Sequence, residues 1–324
     1  MKLDLLDLKI LYELGRDARQ TNSQIGKKIK SSQQVVSYRV KNLIETKVIK
    51  QFFTTIHFGY FGFLNYSIMI KLNESDKQEK TKFIDYLLKK ENLLLLSECG
   101  GRWDVIINIL AKNPAKFEQY VLELFEEYGE LVLNYDAFLT VGGTNFGRKY
   151  LFDNKELEKN IPFGKEEKTE ISKNDLNILK SISKNARASS IELEEATGIN
   201  YKTIIKRIKD LKKQRIITSF KPLLDISKLG YFPHRILLDL NKMTEKQELD
   251  FIRFLSSKKN IIGTMRMIGK WNYAIGIETK DQQDTWKLYE EIQSYLGDKI
   301  KDIELIPIFK KYEYNYFPNS LMKE

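Results

Sequence analysis

Two short stretches concentrate the side chains that could do chemistry. Gln33, Gln34, Ser37, Tyr38, Arg39 and Lys41 stand within nine positions, and Tyr201, Lys202, Ile205, Lys206, Arg207 and Lys209 repeat that spacing 168 residues later. Glutamine can pair bidentately with adenine in a major groove, whereas a lysine reads a phosphate as a point charge. Lys27–Lys50 holds seven basic residues and one acid, and Asn200–Lys221 holds eight and one. The whole chain of 324 residues carries a net charge of +10, so these two windows, at +6 and +7, leave −3 for the rest. The excess is localised, and its expected partner is a polyanion, double-stranded DNA. A charge run on one helix usually marks only a solvated face; two runs at equivalent places favour the DNA reading.

Other chemistries find little to work with. One cysteine, Cys99, forms no intrachain disulfide, and His57 and His234 beside it make a poor zinc set, so no metal and no cofactor are expected. Both histidines read as surface or strand residues. The opening Met1–Asp7 interrupts its apolar residues with acids, unlike a signal peptide, and no stretch approaches the ~18 apolar residues of a membrane span. A soluble, intracellular chain with no membrane contact follows by elimination, and the DNA reading makes its expected place cytoplasmic and nucleoid-associated. Val141–Lys149 has Gly142 and Gly147 at phosphate-loop spacing, but Arg148 stands where lysine is needed and Tyr150 where Ser or Thr should follow, so it reads as a strand end.

The elements that carry the two stretches are themselves repeated. At an offset of 168, Asp7, Leu11, Arg19, Arg39, Leu43 and Ile49 recur as Asp175, Leu179, Arg187, Arg207, Leu211 and Ile217, and the register continues ungapped through Gly101/Gly269 and Trp103/Trp271. The chain is one unit written twice. In each unit Leu5, Leu8, Leu11 and Leu14, or their equivalents, recur at helical spacing. A short second helix and a turn follow, then a third helix with Val36, Val40 and Leu43, or Ile204, Ile208 and Leu211, on its inner face. Ser32 and Asn200 are placed to cap the third helices, and Gly198 marks a turn. VIKQFFTTI and IITSFKPLL then read as a short strand pair, the wing of a winged helix-turn-helix. After it the period falls to two at Tyr66, Ile68, Ile70 and Leu72, returns to a helix at Phe83–Leu88, gives two strands around Gly100-Gly101, a helix at Phe117–Tyr128 and a last strand at Leu131–Val141.

The order βαββαβ is ferredoxin-like. The expected fold class is α+β: two winged helix-turn-helix domains, each followed by a ferredoxin-like βαββαβ domain. The expected boundaries are 1–60 and 61–148 for the first unit, a charged linker at 149–170, 171–230 and 231–317 for the second unit, and a tail at 318–324.

LDLLDLKIL, DARQTNSQIGKKI and YRVKNLIETKVI, the matching run from Asn174 to Ile217, and the loops GGRWD and IGKWN resemble the leucine-responsive/AsnC (feast/famine) transcriptional regulators over nearly the full chain. Lys30 departs from that pattern where the turn usually has Gly, and Lys47 and Arg215 depart just before the wing. The resemblance implies a sequence-specific regulator whose βαββαβ domains pair through their sheets. It also implies an amino acid or similar small-molecule effector near Gly101, Trp103 and Asp104 and near Gly269, Trp271 and Asn272. The competing reading of those six residues is a tight turn at each Gly and a Trp packed in a core or interface. Pairing within one chain would make a pseudo-dimer with unlike DNA heads, and chain dimerisation would supply four. Two other functions share this architecture: sirohaem decarboxylases, whose matching segment is Tyr/Arg/His-rich where this chain has no His, and architectural proteins that coat DNA.

Overall fold

The computed structural model describes residues 3–73, 77–152, 161–163, 171–312, 315–318 and 321. Most of the expected linker and most of the expected tail lie outside the described residues. The first copy runs α1 (Leu5–Arg16), α2 (Asn22–Ile29), α3 (Gln33–Glu45), β1 (Ile49–Ile56), β2 (Leu64–Leu72), α4 (Lys77–Leu88), β3 (Leu93–Cys99), β4 (Val105–Ala111), α5 (Pro114–Tyr128) and β5 (Val132–Asn145). After a short strand β6 (Ile161–Phe163), the second copy repeats it as α6 (Lys173–Lys184), α7 (Ser190–Thr197), α8 (Tyr201–Lys213), β7 (Ile217–Leu224), β8 (Phe232–Leu240), α9 (Glu245–Ser257), β9 (Ile261–Ile268), β10 (Tyr273–Thr279), α10 (Gln282–Leu296) and β11 (Ile300–Lys311). The start of the expected linker is built: Leu151 is buried at the end of a single 3-10 turn, Lys149–Leu151.

The chain divides into two compact units, and each unit collects the same part from both copies: the helical heads in one, the βαββαβ halves in the other. In the head unit the helices start where side chains can satisfy free amides. Asp4 and Asp7 form a reciprocal capping box on α1, and Ser172 and Asp175 repeat it on α6. Ser32 accepts from the Val35 amide at the start of α3, and Asn200 accepts from Lys202 at the start of α8. Ile10, Leu11, Leu14, Ile25, Val36 and Leu43 are fully buried in the first head, as are Ile178, Leu179, Ile182, Ile204 and Leu211 in the second.

The wing differs from the sequence expectation. Each third helix is followed by one strand, not a hairpin, and the pair is made between copies: β1 runs antiparallel to β7, with Phe53 opposite Lys221 and Thr54 opposite Phe220. A lone strand leaves its amides and carbonyls unpaired, and the second copy supplies an equivalent edge that satisfies them. Each strand also packs on the first helix of the opposite head. The Ala18 amide donates to the Phe220 carbonyl and Ala186 to that of Phe52, both at 3.0 Å, while buried Thr54 donates its hydroxyl to Ile182 at 2.7 Å.

In the other unit both halves have ferredoxin-like order, β5-β2-β4-β3 and β11-β8-β10-β9. Pairing of β3 with β11 and of β9 with β5 joins them into a closed eight-strand ring, which leaves no open edge between the halves. Outside the first sheet, Phe83, Ile84 and Leu87 of α4 and Val121 and Leu124 of α5 cover Ile68, Ile70 and Ile107. Inside the ring, Met69, Trp103, Ile106 and Phe138 of the first copy meet Leu237, Met267, Trp271 and Ile306 of the second. Trp103 and Trp271 are fully buried there, each worth about 4–6 kcal/mol of transfer free energy at the usual area coefficient.

Candidate nucleic-acid interface

On α3 the inward stripe of Val36, Val40 and Leu43 turns Gln33, Gln34, Tyr38 and Lys41 to solvent, Tyr38 with 69% of its surface exposed. Ser37 is half-buried and its hydroxyl accepts a hydrogen bond from Asn22 Nδ2 at 2.8 Å. On α8 the exposed set is Tyr201, Lys202, Ile205, Lys206 and Lys209. The two surfaces therefore differ in kind. The first presents two amides and the Tyr38 hydroxyl beside one lysine, and the second presents three lysines around an apolar Ile205, with Tyr201 and Thr203 as its hydroxyls.

Arg39 and Arg207 are held differently from their neighbours. Arg39 reaches back to Asp4 at 2.8 Å and Asp7 at 3.3 Å, and Arg207 clasps Asp175 through two parallel hydrogen bonds. Each ties the third helix to the first within its own head. Burial would raise the Asp175 carboxyl, but the Arg207 and Ser172 hydrogen bonds outweigh it and hold the group below the ordinary carboxylate value. These arginines set the angle of the helix that carries the exposed residues.

The turns around the third helices are left-handed at non-glycine residues. Lys30 has φ +58°, where its counterpart Gly198 has +70°, and Lys47 and Arg215, equivalent positions after α3 and α8, have +55° and +62°. The three departures from the family pattern noted in the sequence thus preserve the glycine conformation with a cationic side chain in place of a hydrogen.

A reciprocal clasp joins the heads. Arg19 donates to the Ala186 carbonyl and Arg187 to the Ala18 carbonyl, each at 2.7 Å, and each guanidinium lies over an aromatic ring, Phe220 and Phe52 respectively. Sequence reasoning missed this role. Its one trace was the identity of Arg19 and Arg187 across the repeat.

In the loops expected to receive an effector, both glycines take positive φ and both tryptophans are buried. Gly101 has φ +87° and is exposed at the tip of the β3–β4 turn, and Gly269 has φ +144° with Phe138 so close that a Cβ would fall 2.8 Å from its ring. The Trp103 and Trp271 rings are in the ring interior. Asp104 is buried and accepts from the Leu72 amide at 2.8 Å and from Lys71, and Asn272 accepts from the equivalent Leu240 amide. An acceptor at this position closes the turn onto the neighbouring strand, a task that Asp and Asn perform equally. The charge difference between Asp104 and Asn272 therefore leaves that task unchanged. Burial pushes the neighbouring Cys99 thiol up to about 12, which disfavours the thiolate.

The winged helix-turn-helix DNA-binding family matches residues 3–50 and again residues 171–218. The chain therefore carries two winged helix-turn-helix DNA-binding segments, one in each copy. This tandem protein is 23% identical over 130 residues to an uncharacterised HTH-type transcriptional regulator of Pyrococcus furiosus, a match covering 39% of this chain and 84% of that one. It is 26% identical over 122 residues to the transcriptional regulator AzlB of Bacillus subtilis, covering 37% and 78%. Among solved structures the siroheme decarboxylase NirDL superposes on the tandem protein with a TM-score of 0.61 at 12% identity, covering 99% of this chain and 98% of that one. At that identity the superposition shows a shared fold.

Proposed function

We propose that this chain is a sequence-specific transcriptional regulator, an intrachain pseudo-dimer in which α3 reads bases and α8 anchors to phosphate. The observation that carries this reading is the contrast between equivalent positions of the two third helices, Gln33, Gln34, Ser37 and Tyr38 against Tyr201, Lys202, Ile205 and Lys206, with a lysine kept on both at Lys41 and Lys209. The relatives' names, HTH-type and transcriptional regulators, support it. Gln34→Ala is expected to lose affinity for the preferred sequence and little for random duplex. Lys206→Ala is expected to weaken all sequences alike and to reduce the slope of log affinity against log salt by about 0.9, the share of one phosphate contact. Fluorescence anisotropy across a salt series measures both; a uniform loss for Gln34→Ala together with relaxed specificity for Lys206→Ala would contradict the assignment.

The full-length superposition on NirDL gives an enzyme reading its one support. Against it, the chain's two histidines lie at the end of β1 and on β8, where His234 is half-buried and its burial lowers its pKa, and the stretches matching the decarboxylase segment contain none. Tetrapyrrole absorbance co-purifying with the chain would favour the enzyme.

A further inference from the structure

The clasp between the heads does more on one side than on the other. Arg19 donates to the Ala186 carbonyl and rests on the Phe220 ring. Arg187 has a further partner: besides the carbonyls of Ala18 and Gln20, its Nη2 donates to Asn22 Oδ1 at 3.0 Å, and Asn22 Nδ2 then donates to Ser37 Oγ at 2.8 Å. Ser37 is on α3, in the middle of the exposed reading face. The second head has no equivalent path, because the residues corresponding to Asn22 and Ser37 are Ser190 and Ile205.

The donor and acceptor roles along this path are forced. A guanidinium only donates, so the Asn22 group facing it must be the carbonyl oxygen. The amide's other end, its NH₂, is then turned to Ser37. A hydroxyl has one proton and two lone pairs; the Asn22 donor occupies one lone pair, which leaves the Ser37 proton available for donation. We infer that Arg187 of the second head sets the hydrogen-bond polarity of Ser37 on the first head's recognition helix, making Ser37 a donor that selects a base edge offering an acceptor. This rests on the reading of α3 as the base-reading helix. It makes Arg187 a positioning residue that touches no DNA. It also gives the fusion a consequence beyond proximity, since the residue that tunes one head belongs to the other.

Asn22→Asp reverses the polarity while keeping the scaffold. An aspartate still accepts from Arg187, and it suits the first turn of α2, where an acid is favoured. A carboxylate cannot donate, so Ser37 must give its proton to it and show only lone pairs outward. Selection of sites from a randomised duplex pool by the full chain reads this directly. In the wild type, one position under α3 is expected to favour an acceptor edge such as guanine O6 or N7. Asn22→Asp is expected to move that position toward a donor edge such as cytosine N4 by about fivefold, the lower end of the cost of one mismatched pair. Ser37→Ala should erase the preference there, and Arg187→Met should blur it, with the half-site under α8 unchanged in each. If Asn22→Asp leaves the wild-type preference intact, or weakens every position alike, the inference is overturned while the regulator reading stands. A wild type that selects no sequence overturns both.

Discussion

At the scale of single residues, the three lysine and arginine turns are the least expected choices in the chain. An L-residue in the left-handed region costs about 1–2 kcal/mol, and Gly avoids that cost, as Gly198 does in the second head. Replacing Lys30 by Gly copies what the second head already has and should raise stability by about 1 kcal/mol in urea unfolding. Lys47→Gly should stabilise similarly yet weaken DNA binding with a shallower salt slope, because Lys47 follows the C-terminus of α3, where a cation can meet phosphate. A Lys47→Gly protein that is less stable, or that binds DNA with an unchanged slope, would contradict this account of why a cation is kept there. These positions were legible in the sequence as departures from a pattern. The energetic cost became visible only with the backbone angles.

Between elements, the ion pairs linking first and third helices tie each third helix to the first helix of its own head. Asp175 is fully buried and Arg207 only half exposed, so Asp175→Asn removes a charged partner from a bidentate pair and should cost about 1–3 kcal/mol at neutral pH. The sign with pH follows from the direction of the shift. The folded-state value of Asp175 lies below its unfolded value near 4, so its contribution is complete above about pH 4 and is lost as pH falls through the folded value. Urea melts of wild type and Asp175→Asn should therefore differ at pH 7 and converge in acid; a gap independent of pH would rule out the ionised pair as its source.

The helices, the alternating strands and the capping residues Ser32 and Asn200 were readable from periodicity and side-chain type, because those signals depend on neighbours in sequence. The exchange of β1 and β7 between heads was not. The alternation of Ile49, Phe52, Thr54 and Ile56 says which face is buried and is silent about whose helix buries it. For the same reason Trp103 was recognisable as a turn-and-core candidate, while its partners across the ring, Leu237 and Trp271, were not.

For the whole molecule, duplication has produced two compact units in which the copies pair with each other, through β1–β7 and the arginine clasp in one and through a closed strand ring in the other. The net charge resolves into two basic faces on a body that is slightly acidic. In a dimer of identical chains both faces would be the same and a palindromic site would match them. Here one face carries Gln33, Gln34 and Ser37 and the other Tyr201, Lys202 and Ile205 at the equivalent positions, so symmetry in the DNA has nothing to mirror. Hydroxyl-radical footprinting of the full chain on its selected site tests this most directly. The account predicts an asymmetric footprint, with base preference in the half-site under α3 and protection of the backbone with little base preference under α8. A strict palindrome with equally protected, equally selective halves would contradict it.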